Sequence, residues 1–216
     1  KLYATFVPLP HPEGVGNGVH VHLSLTKNGK PVTYDPQGKA GLSRVAESAC
    51  AGVLDHAEGI LAWTAPSQVS ALRLTPHRWS AGGICIGRQN REALLRICPI
   101  PSGSDPNKIF NIEYRAADAT ANPYLVMSCL INAMCDGLDR DLDIDQIVDD
   151  HVDNVDVPQL PATLNQAIAA FKADSVMQGW FPQDLIETHL GIRASEEATL
   201  AGLDNAAKCA RYHQVY

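Results

Sequence analysis

In the stretch GNGVHVHLSL, residues 16–25, aliphatic side chains stand at Val19, Val21, Leu23 and Leu25 and polar ones at His20, His22 and Ser24. Successive side chains of a strand point to opposite faces, so this alternation describes a strand with one packed face and one polar face. NIEYR repeats it, with Glu113 and Arg115 on one side and Ile112 and Tyr114 on the other. ALRL sets Arg73 apart from Leu72 and Leu74 in the same way. A sheet curved around a polar cavity accounts for all three stretches at once, whereas three unrelated solvent-facing strands account for them separately.

The rest of the chain supplies helices. Residues 42–63 carry apolar side chains at helical spacing, with Ser43 placed to cap the first turn. Asn122-Pro123-Tyr124 opens an apolar helix through Leu138. Helices are also expected over residues 162–174, in a short turn near Met177, and over parts of 182–213. Asn28-Gly29 marks a tight hairpin, and strands are expected within residues 70–116. Strands first and helices later, without a β-α-β rhythm or a glycine-rich dinucleotide fingerprint, indicate an α+β fold. Residues 1–140 would hold the sheet and its helices, and residues 141–216 a C-terminal helical segment. The acidic stretch DRDLDIDQIVDDHVDNVD lacks the glycine and terminal glutamate of a calcium-binding loop and reads as a solvated linker. Trp63 and Trp180 read as core residues and His56, in mid-helix, as a surface residue.

Charge is distributed unevenly. The chain carries a net −7, which argues against nonspecific nucleic-acid binding, but residues 1–119 have 12 basic and 9 acidic side chains and the remainder 5 and 15. Arg73, Arg78, Arg88, Arg91, Arg96, Lys108 and Arg115 fall close together. Guanidinium groups at that density suit carboxylate or phosphate recognition, and composition alone is equally compatible with a solvated surface. No apolar run reaches the roughly 20 residues of a membrane span. The cysteines fall without a C-x-x-C pair and read as free thiols, which together point to the cytoplasm.

His-x-His on a strand can hold a metal ion, and Glu113 is a suitable hard partner. No third histidine or cysteine is spaced to close a zinc site. Arginines beside a possible Mg2+ or Mn2+ site suggest phosphoryl transfer, in which metal and guanidinium neutralise the transferring group.

Four blocks in order, GNGVHVHLSL, RLTPHRW, NREALLR and IEYRAADATANPYL, resemble the C-terminal catalytic part of glutamine synthetases. The typical segments there read G-S-G-M-H-x-H-x-S-L, K-R-L-V-P-G-Y-E-A-P, N-R-S-A-S-I-R-I-P and R-I-E-V-R-x-P-D-x-x-A-N-P-Y-L. KLYATFVPLP and PATLNQAIAAFKAD extend the resemblance over essentially the whole chain. It implies a curved antiparallel sheet, a partial barrel, flanked by helices, and an enzyme that forms an amide on the γ-carboxyl of glutamate through a γ-glutamyl phosphate. ATP would be a substrate, Mg2+ or Mn2+ the cofactor, and ammonia or an amine the acceptor. Stacked rings of subunits are the implied assembly. Position by position, His20 and Glu113 would bind one divalent cation, and His22 and Ser24 would lie near ATP. Gly16, Arg73 and Arg115 would contact the substrate glutamate, and Arg91 and Arg96 the phosphates and the phosphorylated intermediate.

The departures bear on the acceptor. Aligned from Arg73, the family's flap glutamate, which helps deprotonate ammonium, falls at Trp79. Tryptophan cannot act as that base, but its ring face can pack against an alkyl or aromatic amine. Asn111 stands where an arginine is usual, with Lys108 the nearest cation. The family's remaining metal carboxylates and its N-terminal β-grasp domain have no counterpart in these residues, so the chain is expected to be part of a longer ligase and to have little activity alone. Two rival readings are an inactive relative with a binding or structural role and a guanidino kinase-like phosphotransferase. Five charged residues kept in register favour catalysis over the first, and His-x-His with N-P-Y-L favours a synthetase over the second.

Overall fold

The computed structural model describes every residue except Lys1, Tyr3, Pro76 and Trp79, with Asp153 described by its backbone alone. The first alternating stretch forms β1 (Val21–Leu23), and a hairpin of β2 (Thr26–Lys27) and β3 (Lys30–Pro31) follows. Asn28 and Gly29 both adopt the left-handed backbone, φ 53° and 74°, that such a two-residue turn requires.

Helix α1 (Arg44–Asp55) begins where Ser43 Oγ accepts the Ala46 N–H, and α2 (Ala57–Thr64) continues it after a break at His56. The single helix expected over this region is therefore two. The next element, α3 (Ser70–Arg73), is one helical turn, so Arg73 is not on a strand as the ALRL pattern suggested. Strands β4 (Gly83–Arg88), β5 (Ala93–Ile97) and β6 (Ile112–Tyr114) follow, with the short helix α4 (Pro106–Ile109) before β6. Helix α5 (Pro123–Asp139) starts as expected, Asn122 capping it and Pro123 occupying the first turn. After residues 140–162 come α6 (Leu164–Ala173), α7 (Ser175–Gln178), α8 (Gln183–Leu200) and α9 (Asn205–His213).

The main sheet is open, with strand order β1-β6-β5-β4. It is antiparallel at β1/β6 and β5/β6 and parallel at β4/β5. The α+β class holds, as a small open sheet with helices. Register explains its two faces. Val21, Tyr114 and Leu95 form one cross-strand row, and Leu23, Ile112 and Ile97 another. Leu95, Tyr114, Ile97 and Ile112 of these rows join the main core with Trp63, Ile60, Leu130 and Phe171, and Val21 packs against it. Between them runs the row His22, Glu113 and Arg96, which by the period of two points to the opposite face. The core thus holds one side of the sheet while the other carries charge.

Residues 141–161 are not a solvated linker. Ile144, Val148, Val152 and Leu160 are buried, and the segment lies along β4. Val148 N–H donates to Ile86 O, Ile84 N–H to Pro158 O and Leu160 N–H to Gly82 O. The acidic residues between these anchors meet arginines, Asp141 and Asp143 at Arg44 and Asp149 at Arg88.

Candidate active site

Glu113 is the centre of the polar face. It is 1% exposed, and an isolated carboxylate buried this deeply would cost several kcal/mol in lost hydration. Three cationic or potentially cationic side chains offset that cost. His20 Nδ1 lies 2.5 Å from Oε1, Arg115 Nη1 donates to the same oxygen at 2.8 Å, and Arg96 Nη2 pairs with Oε2. The alternation of GNGVHVHLSL and NIEYR puts His20, Glu113 and Arg115 on this face, and β5 delivers Arg96 opposite Glu113. The protonation of His20 is settled by competition. Burial and the nearby Arg115 guanidinium oppose its charge more than Glu113 favours it, so its pKa lies below the usual histidine value.

Arg73 forms the floor beside this cluster. Nη1 donates to Ser80 Oγ at 2.9 Å, and Nη2 donates to the carbonyls of Ala116 and Ala117 at 2.7 and 3.0 Å. Burial lowers its pKa, and the Asp118 carboxylate works against that shift. The chain crosses it closely. A Cβ at Gly16 would lie 2.5 Å from Arg73 Cγ, and one at Gly18 would lie 2.6 Å from Nη1. The two glycines of GNG are required by this approach of backbone to guanidinium.

The remaining sequence candidates divide. His22 is exposed, with Nδ1 2.7 Å from Asn111 Oδ1. Ser24 is exposed just past the end of β1. Arg91 is exposed in the loop before β5, and its carbonyl accepts the Arg115 Nε–H at 3.2 Å. His20, Arg96, Glu113 and Arg115 are thus in direct contact, with Arg73 and Gly16 packed together beside them. Trp79 lies outside the described residues.

Sequence reading passed over several groups. Cys98 lies on the polar face, its Sγ 3.7 Å from His22 Nδ1 and 3.8 Å from Glu113 Oε2. Its signal was its position two residues after Arg96, which keeps it on the same side of the sheet. Glu92 is buried and bound by the His77 N–H, the Val152 N–H and the His151 ring, each at 3.2 Å. This carboxylate therefore ties the loop after α3 to the segment along β4. His56 is buried rather than at the surface, with Nδ1 2.5 Å from Asp174 Oδ2 and Nε2 3.0 Å from Asp136 Oδ2. A cavity of about 560 Å³ opens beside it, lined by Asp55, Glu58, Gly59 and Ala170, and none of the candidate site residues read from the sequence lines it.

A cluster with one carboxylate among several guanidiniums, on the polar face of a sheet, is built for anions and a divalent cation. The chain belongs to the glutamine synthetase family: residues 1–212 match the model described as glutamine synthetase, catalytic domain. It is 34% identical over its whole length to 48% of a γ-glutamylpolyamine synthetase, GlnA3, of Streptomyces coelicolor. Over 90% of its length it is 37% identical to 43% of a glutamine synthetase of the same organism. Among solved structures, a novel glutamine synthase homologue superposes with a TM-score of 0.86 at 40% identity, over 98% of this chain and 48% of that one. A GmaS/ADP complex gives a TM-score of 0.79 at 30% identity, over 93% and 47%. The chain spans about half the length of the curated relatives it matches. No described helix is long and apolar enough to cross a membrane.

Proposed function

We propose that the chain is the C-terminal part of the catalytic domain of an ATP-dependent ligase. It would join the γ-carboxyl of glutamate to an amine by way of a γ-glutamyl phosphate. The observation that carries the reading is Glu113, a buried carboxylate held by His20, Arg96 and Arg115 with Arg73 close behind. Such a wall has cationic groups to spare for an anionic acid and for phosphates.

The donor set fits a divalent cation in part. The His20 nitrogen and the Glu113 oxygen that now face each other are the donors that would hold Mg2+ or Mn2+. A low histidine pKa favours the neutral, ligating ring. Two donors do not complete a coordination sphere, so the remaining ligands would come from the rest of a longer protein, from the phosphates or from water. When bound, the cation neutralises charge on the phosphoryl oxygens.

The chain's own residues would then act as oriented charge. Arg96 and Arg91 would face the transferring phosphoryl group and stabilise the charge that develops on it, while Arg115 and Arg73 would fix the acid's carboxylates. His22 and Ser24 would lie on the nucleotide side. Arg73 is already committed to three oxygen acceptors, so its part would be to set a fixed positive field and the shape of the floor.

The acceptor is read from Trp79 in place of the flap glutamate and from the similarity to a γ-glutamylpolyamine synthetase. Both support an amine larger than ammonia. The test is ATP-dependent phosphate release by the full-length protein with glutamate and a panel of amines. Faster turnover with a mono- or polyamine than with ammonium is expected, and more efficient synthesis of glutamine from ammonium would overturn this assignment. The 216-residue chain alone is expected to release no phosphate above background under the same conditions.

A further inference from the structure

Three potential ligands of a softer kind meet at the edge of the Glu113 cluster. Cys98 Sγ, His22 Nδ1 and a Glu113 carboxylate oxygen all lie within 4.8 Å of one another. The sulfur is 3.7 Å from the nitrogen and 3.8 Å from Oε2. Zinc bonds of about 2.3 Å to sulfur and about 2.0–2.2 Å to nitrogen or oxygen, at tetrahedral angles, put neighbouring ligands about 3.5 Å apart. The two sulfur separations exceed that spacing by a few tenths of an ångström and the His22–Glu113 pair lies within 4.8 Å, so rotations of the three side chains would bring the donors to one ion. All three sit on strand or strand-end positions fixed by register, with Glu113 fully buried and Cys98 half-buried, so the backbone need not move.

We propose that Cys98, His22 and Glu113 form a binding site for a thiophilic divalent cation, zinc being the natural example, with a fourth position open to water. Sulfur is what separates this site from one for Mg2+ or Mn2+, which prefer oxygen. The proton balance is explicit. Burial, with the charge of Glu113, holds the Cys98 thiol in its protonated form, against a smaller opposite pull from Arg96. Capture of the ion replaces the S–H bond by a metal–sulfur bond and releases one proton to water. Asn111 Nδ2 donates to Ile109 O at 2.8 Å, so its Oδ1 faces His22 and Nδ1 carries the ring hydrogen. Ligation moves that hydrogen to Nε2 and ends the bond to Asn111, with no net proton change. Arg96 also pairs with Oε2, so the ion must share the carboxylate with a guanidinium. Affinity is accordingly weaker than in a closed structural zinc site.

The ion site stands on these distances and not on the ligase reading. Its consequence for activity does rest on that reading: an ion on Glu113 would take a carboxylate from the catalytic cation and inhibit.

Cobalt(II) is the probe, added to the purified protein and followed by absorption. A thiolate-to-cobalt charge-transfer band in the near ultraviolet is expected, saturating at one ion per chain. Cys98→Ser, a substitution that changes one atom, should abolish the band while leaving the far-ultraviolet circular dichroism unchanged. His22→Ala should keep the band but require at least tenfold more cobalt. Absence of the band in the unaltered protein, or its survival in Cys98→Ser, would overturn the site. Because no turnover is measured, the result is independent of the amine assay. In the full-length enzyme, zinc inhibition that weakens at least tenfold in Cys98→Ser links the two, and equal inhibition of both forms refutes the competition.

Discussion

Gly16 lies against the stem of Arg73, so closely that a methyl group there would come within 2.5 Å of Cγ and 2.9 Å of the Pro8 carbonyl. One obstacle is a side chain already fixed by three hydrogen bonds and the other is backbone, so neither can move aside freely. Gly16→Ala is expected to destabilise the protein by about 1–3 kcal/mol, the usual cost of overpacking a filled site. Denaturant unfolding checks it, and an unchanged midpoint would mean that Arg73 is not held as described.

Removing Glu113 should be more damaging. Glu113→Ala removes the carboxylate that pairs with buried Arg115 and mostly buried Arg96, and breaking such a pair costs about 3–5 kcal/mol. Glu113→Gln keeps the shape and an acceptor oxygen and should cost less. The same denaturation experiment on both variants measures the difference.

His56 predicts an effect remote from the site. Its ring joins Asp136 on α5 to Asp174, which also accepts the Val176 and Met177 N–H groups at the start of α7. His56→Ala loses both contacts and leaves two carboxylates with fewer donors, a loss of about 1–3 kcal/mol. Hydrogen exchange should rise at the start of α7. A loss of stability without that local change would assign the effect to packing alone.

Two groups give expectations of the same sign for pH, each losing its contribution as the solution is acidified. His20 should titrate below the ordinary histidine range, visible as the midpoint of its ring resonances in the metal-free protein. A ring that resists protonation in the folded state favours folding above its unfolded pKa, and that contribution is lost as pH falls through the lower folded value. Glu92 is also depressed. Burial alone would raise it, but the His77 and Val152 amides and the His151 ring outweigh burial. Its contribution is present above the ordinary carboxylate range and is lost as acid takes the pH through the depressed value. Glu92→Gln should therefore narrow the stability gap between neutral and mildly acidic solution. An identical pH profile would show that these hydrogen bonds do not favour the charged form.

The strand alternation made the polar face of β1 and β6 legible, and the capping residues Ser43 and Asn122 marked two helix starts. ALRL was not legible, because four residues cannot distinguish a period of two from one helical turn. Packing chose the turn, with Val69 buried in a second cluster against Val7, Leu9 and Tyr212. His56 misled for a different reason: its partners lie 80 and 118 residues away, where no local pattern reports them. In residues 141–161 the aspartates hid a sparse set of aliphatic anchors that fit one edge of the sheet. Cys98 looked like any apolar thiol until register placed it beside His22 and Glu113.

That acidic segment has one more effect. By donating to and accepting from the backbone on the outer side of β4, it occupies the positions that another strand would need. A Cβ at Gly87 would come within 2.1 Å of the Val148 carbonyl, so the seal is close. Among the described residues β1 pairs only with β6, leaving its other side unclaimed. The sheet can therefore grow in one direction alone, past β1, and any strand added there would lie alongside His20 and His22.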